Sequence, residues 1–267
     1  LPDGTEIPGT NFDYNYLQHR KVDVVSSALD FILPFEKYKI TAGAKVSFTN
    51  TRNGINYDTS DPTLVQDDYF RYKEQIYALY ADYSREFSER FSMQLGLRME
   101  HTRTTGISEA KDTEDKHDYT RLFPTVYLLY SPTDGHALNF SFSNRISRPS
   151  QNMVNPFPFY QNKYTYACGR EDLKPSYTYN AELGYTLKNN FNVSAYYSYS
   201  DDVFFQVVDL DAETNVTSFL WENFMQTHAF GLNNSYTFRT KWLQTYAQHG
   251  VSYRRTTSSA ATTSPEE

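Results

Sequence analysis

The chain carries one cysteine, Cys168, in 267 residues. It has no partner for an internal disulfide and cannot build a thiolate metal site, so it reads as a small loop residue without chemistry. No run of 18 apolar residues occurs, which excludes a transmembrane helix. Acidic residues outnumber basic ones by 32 to 25, and the sequence shows no basic cluster, so nucleic acid is not an expected partner. No signal segment is visible; residues 1–10 are polar and rich in Pro and Gly, so the N-terminus reads as processed or cut from a longer chain. No Ser/His/Asp order, Gly-rich phosphate loop or paired-carboxylate motif stands out, and no enzyme chemistry is expected.

Aromatic residues, by contrast, are abundant: 17% of the chain, with 24 Tyr and 19 Phe. That exceeds what a core of this size needs, and Tyr suits an interface where the ring is in an apolar layer and the hydroxyl is wet. The mean hydropathy of −0.67 argues against a helical membrane protein. It is compatible with a membrane barrel, in which every second residue faces lipid and the long loops are polar.

Period-two alternation is the dominant pattern. Phe91, Met93, Leu95, Leu97 and Met99 share one face, with Ser92, Gln94, Gly96, Arg98 and Glu100 on the other. Similar ribbons run through 40–49, 138–143, 176–188 and 191–200. Around 76–83 and 122–130 both faces carry aromatics or aliphatics, which fits a partly filled lumen. The reading gives ten strands, near 16–33, 38–49, 69–84, 91–102, 119–131, 137–146, 176–188, 191–208, 216–238 and 242–256, with room for a bulge at 222–226. Tight connections at 34–37, 85–90, 131–136, 187–190 and 239–241 alternate with long ones at 50–69, 102–118, 144–176 and 209–215.

Long antiparallel strands with short turns on one side and long loops on the other are the mark of an outer-membrane barrel. A sandwich has shorter strands and no reason to sort its loops by length. The predicted fold is therefore all-β, an antiparallel up-and-down transmembrane β-barrel in the bacterial outer membrane, in contact with its lipid. With tight turns on the periplasmic side, both termini fall on the extracellular side. The chain, 1–267, then reads as a single β-barrel region of about ten strands cut from a larger barrel.

Residues 144–185 carry a family resemblance. Arg145 through Pro149 (RISRP), Asn155 through Phe157 (NPF), Leu173 through Pro175 (LKP) and Asn180 through Tyr185 (NAELGY) resemble the barrel region of TonB-dependent receptors of the Bacteroidetes type. Upstream, Tyr72 through Tyr77 (YKEQIY), Gly96 through Glu100 (GLRME) and Leu122 through Pro124 (LFP) look like the same family. Where the family shows a Gly-Asn-Pro-like turn before LKP, this chain has Gly169 through Asp172 (GRED). The resemblance implies import of a scarce, bulky nutrient such as a siderophore, vitamin or glycan. It also implies energy drawn from the TonB complex through a plug domain not present in this chain, a surface lipoprotein as a further partner, and no cofactor. The alternatives kept open are an outer-membrane barrel that adheres or scaffolds, and an outer-membrane barrel enzyme such as a lipase or protease.

Three groups are candidate sites. Tyr160, Tyr164, Tyr166 and Arg170 in the longest loop could stack on a sugar ring or aromatic chelate, or simply pack the loop on itself. Asp209, Asp211, Glu213 and Asn215 offer oxygen ligands, but without the spacing or glycine of a calcium loop. His101 and His117 flank a stretch with Glu109, Asp112, Glu114 and Asp115, without a fixed metal-ligand spacing. No metal site is expected from either of the last two.

Overall fold

The computed structural model describes residues 14–59, 67–109 and 111–258. The polar N-terminal stretch 1–10, most of the tail after 256 and the middle of the 50–69 connection lie outside them. Strands β1 (Tyr14–Pro34), β2 (Tyr38–Thr59), β3 (Asp68–Ser88), β4 (Phe91–Ser108), β5 (Thr113–Tyr130) and β6 (His136–Ser147) form an antiparallel meander. It continues, after a long insertion, through β9 (Ser176–Leu187), β10 (Phe191–Asp211), β11 (Val216–Arg239) and β12 (Gln244–Ser258). The insertion contains a helical turn, α1 (Gln151–Val154), and a hairpin of β7 (Phe159–Asn162) and β8 (Thr165–Cys168). Among the described residues no ladder joins β12 to β1, so the sheet is open.

The ten long strands are those expected from alternation; the sheet has twelve because β7 and β8 join it. β8 runs parallel to β11 over Thr217–Leu220, the one parallel ladder among the described strands. Two expected long connections, 50–69 and 102–118, are mostly strand among the described residues, and a third, 209–215, is shortened to 212–215. β4 and β5 remain paired up to Ser108 and Thr113, and β10 and β11 up to Asp211 and Val216. β2 reaches Thr59. The apolar alternation stops near residue 101, but pairing does not need it. The Thr-rich run Thr102, Thr104, Thr105 suits extended backbone, and two polar ribbons continue their ladder above the membrane. The expected bulge is present: register shifts at Val203 face Asn223 and Met225, and Asp202 takes φ 52°.

The burial pattern is inside-out. On β4, Leu95, Leu97 and Met99 are 40%, 50% and 40% exposed, while Glu100 and Thr102 on the opposite face are 6% and 0% exposed. A soluble sandwich would reverse these values. The apolar face therefore looks outward at hydrocarbon.

Two aromatic belts bound that face. Near the tight turns, Phe35 stacks on Tyr38 at 4.4 Å, and Phe87, Phe91 and Tyr130 form a chain with centroids at 5.4 and 6.5 Å. Toward the long loops, Phe48, Tyr77 and His101 line up at 5.9 and 6.2 Å, and Tyr199 meets His228 at 4.8 Å. The belts are about ten residues apart along β4, which at about 3.3 Å per residue and a tilt near 45° gives a band of roughly 25 Å.

On the inner face, small residues make room for large ones. A Cβ on Gly231 would lie 2.1 Å from a ring carbon of Tyr196, so the Tyr196 ring lies flat over β11 because that position has no side chain.

Candidate functional site

Apart from Ala78 and Phe123, the buried apolar residues gather at the loop end of the sheet rather than along it. Phe70 of β3 packs with Val154 of α1 and Leu173, flanked by Tyr72, Met153, Phe204 and Trp221; Ile55 packs with Phe157. Residues 148–175 therefore fold back into the mouth and cover the inner faces of β2–β4 and β10–β11.

Polar contacts fix this segment at both ends. At its start, the Arg148 guanidinium donates to Glu100 Oε2 at 2.5 Å and Thr102 Oγ1 at 3.1 Å, and lies 3.9 Å from Glu74. Arg98 also pairs with Glu100. At its end, Lys174 N–H donates to Asn223 Oδ1 at 2.8 Å, and Asn223 Nδ2 donates to Lys174 O and to Asp202 O at the bulge. The bulge thus supplies the amide that clamps the segment. Between the ends, the β4–β5 tip holds it through Lys111 Nζ to Pro156 O, Thr113 Oγ1 to Glu171, and His117 to Glu171 O.

The return turn at Gly169 through Asp172 departs from the family pattern, and its geometry shows what its glycine does. Gly169 N–H donates to Asn155 O at 2.8 Å and Arg170 N–H to Met153 O at 2.7 Å. A Cβ on Gly169 would stand 2.3 Å from Asn155 O, a backbone atom that cannot step aside. Gly169→Ala is expected to destabilise the docked segment by roughly 1–3 kcal/mol, an overpacking cost, and to expose residues 148–175 to protease while the strands stay protected.

Glu171 adds a pH-sensitive contact. Burial and a shared hydrogen bond with Asp115 push its carboxyl up to about 7, against a smaller opposing effect of Thr113 and Lys111. A carboxyl raised on folding stabilises the docked segment below its ordinary range, and that contribution is lost as pH rises through about 7. Proteolysis of residues 148–175 is therefore expected to be faster at about pH 8 than at about pH 5, and Glu171→Gln should flatten the difference.

Beneath the segment lies a cavity of about 360 Å³. Its wall includes Tyr72, Tyr119, Tyr177, Arg121, Arg148 and Lys174, with Glu74 and Glu171 among the carboxylates. Arg121 donates to Tyr177 Oη at 3.2 Å and lies 4.9 Å over its ring. Arg148 and Pro149 of RISRP, Leu173 through Pro175 of LKP, and Tyr72 and Glu74 of YKEQIY all line it, and Glu100 of GLRME holds Arg148. Pieces scattered over the sequence converge on one chamber with hydrogen-bond donors, acceptors and aromatic faces.

The four sequence-predicted residues lie outside that lining. Tyr160 and Tyr166 face each other across β7 and β8, with centroids 5.5 Å apart. Tyr164 stands at the hairpin turn, 56% exposed. Arg170 is committed to ion pairs with Asp172 and Glu222. Cys168 donates to Pro156 O, and burial pushes its thiol up, away from thiolate reactivity. The Arg148 cluster was missed by sequence reasoning; its signal was a carboxylate on the polar face of each of two neighbouring strands, Glu74 of β3 and Glu100 of β4.

The other candidates resolve structurally. His101 projects outward to Thr120 and Asp118, while His117 projects inward to Glu171, so the sheet separates them. Asp211 closes its own turn, accepting from Glu213 N–H, Thr214 N–H and Thr214 Oγ1, which holds its carboxyl below the usual range. Among the described residues no three His, Cys, Asp or Glu side chains gather as a metal site. No described helix is long and apolar enough to cross a membrane, which says nothing of strands.

Comparison with known proteins gives the same architecture. The family model of the outer membrane protein beta-barrel family matches residues 2–266. Among solved structures, the copper transporter OprC is similar at TM-score 0.66 and 13% identity, covering 91% of this chain and 39% of its own. The ferric yersiniabactin uptake receptor FyuA from Yersinia pestis is similar at 0.58 and 16%, covering 94% and 38%. The ferric citrate transporter FecA is similar at 0.57 and 13%, covering 92% and 37%. At these identities the likeness is one of fold, and the chain spans well under half the length of those structures. No curated protein is similar enough in sequence to match.

Proposed function

The chain belongs to the outer membrane protein beta-barrel family and lies in the outer membrane, and from that premise we propose that it is part of the wall of a TonB-dependent receptor that imports a bulky nutrient. The observation that carries this reading is the chamber under residues 148–175, where inward-facing arginines and tyrosines meet below a folded-in loop. A barrel that only adheres or scaffolds has no need of such a chamber. The similarity to the copper transporter, the ferric yersiniabactin uptake receptor and the ferric citrate transporter supports it at the level of fold.

In this reading the region supplies about ten strands of a larger barrel, a plug domain elsewhere couples to the TonB complex, and a surface lipoprotein hands over the ligand. The wall binds and admits, and performs no chemistry. Tyr160, Tyr164 and Tyr166 make the first contact with ligand at the rim, while Arg170 holds the loop in shape. The decisive experiment is uptake of labelled ferric siderophores, cobalamin and oligosaccharides by cells with and without residues 148–175 of the intact protein. One ligand class should enter in a manner abolished both by the deletion and by an uncoupler of the proton gradient. Binding to cells that survives the uncoupler, with no uptake of any class, would overturn import and favour adhesion.

A further inference from the structure

The strand register assembles something no stretch of sequence displays. Starting at the outer aromatic belt and rising above it, three consecutive rows of outward-facing residues cross β1 to β5. The lowest is Val25, Phe48, Gln75, Arg103 and Asp118; above it run Asp23, Asn50, Lys73, Thr105 and Lys116, then Lys21, Arg52, Arg71, Ile107 and Glu114. Among the described residues these rows hold six cations and three carboxylates, a local charge of +3, on a chain whose net charge is −7.

The carboxylates do not absorb all of it. Asp118 is taken by Arg103 at 3.0 Å, Glu114 by Lys116 at 3.0 Å, and Asp23 is shared by Arg52 and Lys21 at 3.7 and 3.8 Å. At the centre of the patch, Arg71 lies 5.8 Å over the Tyr69 ring, its Nε without a hydrogen-bond partner, and neither Arg71 nor Lys73 has a carboxylate within ion-pair distance among the described residues.

Position tells what would meet these cations. The patch continues directly upward from the lipid-facing band, on the same face and on the side of the long loops, which is the outer leaflet. At that height lipid headgroups begin, and Lys and Arg reach them while their stems stay against the apolar layer. Guanidinium and ammonium groups select phosphate oxygens there. We propose that the outer face of β1–β5 is a docking surface for phosphate-bearing glycolipid headgroups of the outer leaflet, centred on Arg71 and Lys73 and flanked by Lys21, Arg52 and Arg103.

The test uses the intact protein containing this region, folded in neutral detergent, with bound lipid counted by native mass spectrometry. The probes are bisphosphorylated lipid A, phosphatidylcholine and inorganic phosphate. Lipid A should bind tightest, with an affinity that falls as salt is raised. The double variant Arg71→Gln/Lys73→Gln should bind it roughly tenfold more weakly, since each cation near such a surface contributes severalfold. The charge-matched control Lys37→Gln/Lys241→Gln, at the opposite end of the strands, should bind as the parent does. Both pairs project from the finished wall, so folding is checked by retained heat-modifiable migration. If the double variant misfolds, the salt series on the parent protein decides: salt-independent binding overturns the proposal. Equal binding by both variants, equal affinity for phosphatidylcholine, or displacement of lipid A by equimolar inorganic phosphate would each overturn it as well, the last by revealing a free-anion site.

Discussion

Leu97→Arg will destabilise the folded barrel by roughly 2–4 kcal/mol, the cost of an arginine near the bilayer midplane. Leu97 pairs with Ala81 on one side and Pro124 on the other, between the Phe91 and His101 belts, and points outward. An arginine there cannot reach water without thinning the bilayer or bending its stem to a headgroup. The matched control is Thr125→Arg. Thr125 pairs with Gly96, one residue away in depth, and stands exposed on the inner face. The same charge at that depth but facing a wet lumen should change stability by less than about 1 kcal/mol. Urea titration of folding into phospholipid vesicles reads both. Equal costs, or a larger cost at Thr125, would mean that the dry side of the sheet is the inner one.

That experiment isolates the single step of inference that periodicity cannot make. Alternation over residues 91–100 fixes a strand and says which residues share a face, but both a sandwich and a barrel obey it. What decided between them was the sorting of turns by length and the surplus of tyrosine and phenylalanine, features of the whole chain. The ten long strands were legible because the apolar face is unbroken between the belts. Their upper halves were not, because above the belts nothing apolar marks the outward face; Thr102 is fully buried and Arg103 exposed, yet both are polar letters. The insertion was illegible for a different reason. Its helical turn and each of its two hairpin strands are four residues long, too short to show a period, and the insertion is held by contacts from strands far away in sequence, such as Phe70 on Val154 and Glu100 on Arg148. The outward basic patch escaped likewise: its cations come one or two per strand and meet only through register.

The second large effect is expected at Arg148. This side chain is 21% exposed and faces Glu100 at 7% and Glu74 at 19%, so two carboxylates of like charge share one guanidinium in a partly dry site. Arg148→Gln removes the shared cation, leaving Glu74 without a partner and Glu100 with Arg98 alone, which should cost roughly 3 kcal/mol, the lower end for breaking a buried pair because the chamber is open to water. The loss falls on docking of the segment rather than on the strands, since the ladders do not depend on it. Hydrogen exchange should therefore quicken across residues 150–175 and stay unchanged in β9 and β10. The cycle with Glu100→Gln separates pairing from packing. If charge compensation is the cause, the double variant Arg148→Gln/Glu100→Gln will recover a large part of the loss, because one of the two like charges has gone. If the two losses simply add, Arg148 serves as a spacer, and the docked segment is held by the packing of Phe70, Val154 and Leu173 and by its other hydrogen bonds. Recovery would mean that one ion cluster, built from the separated pieces RISRP, GLRME and YKEQIY, joins the insertion to the wall.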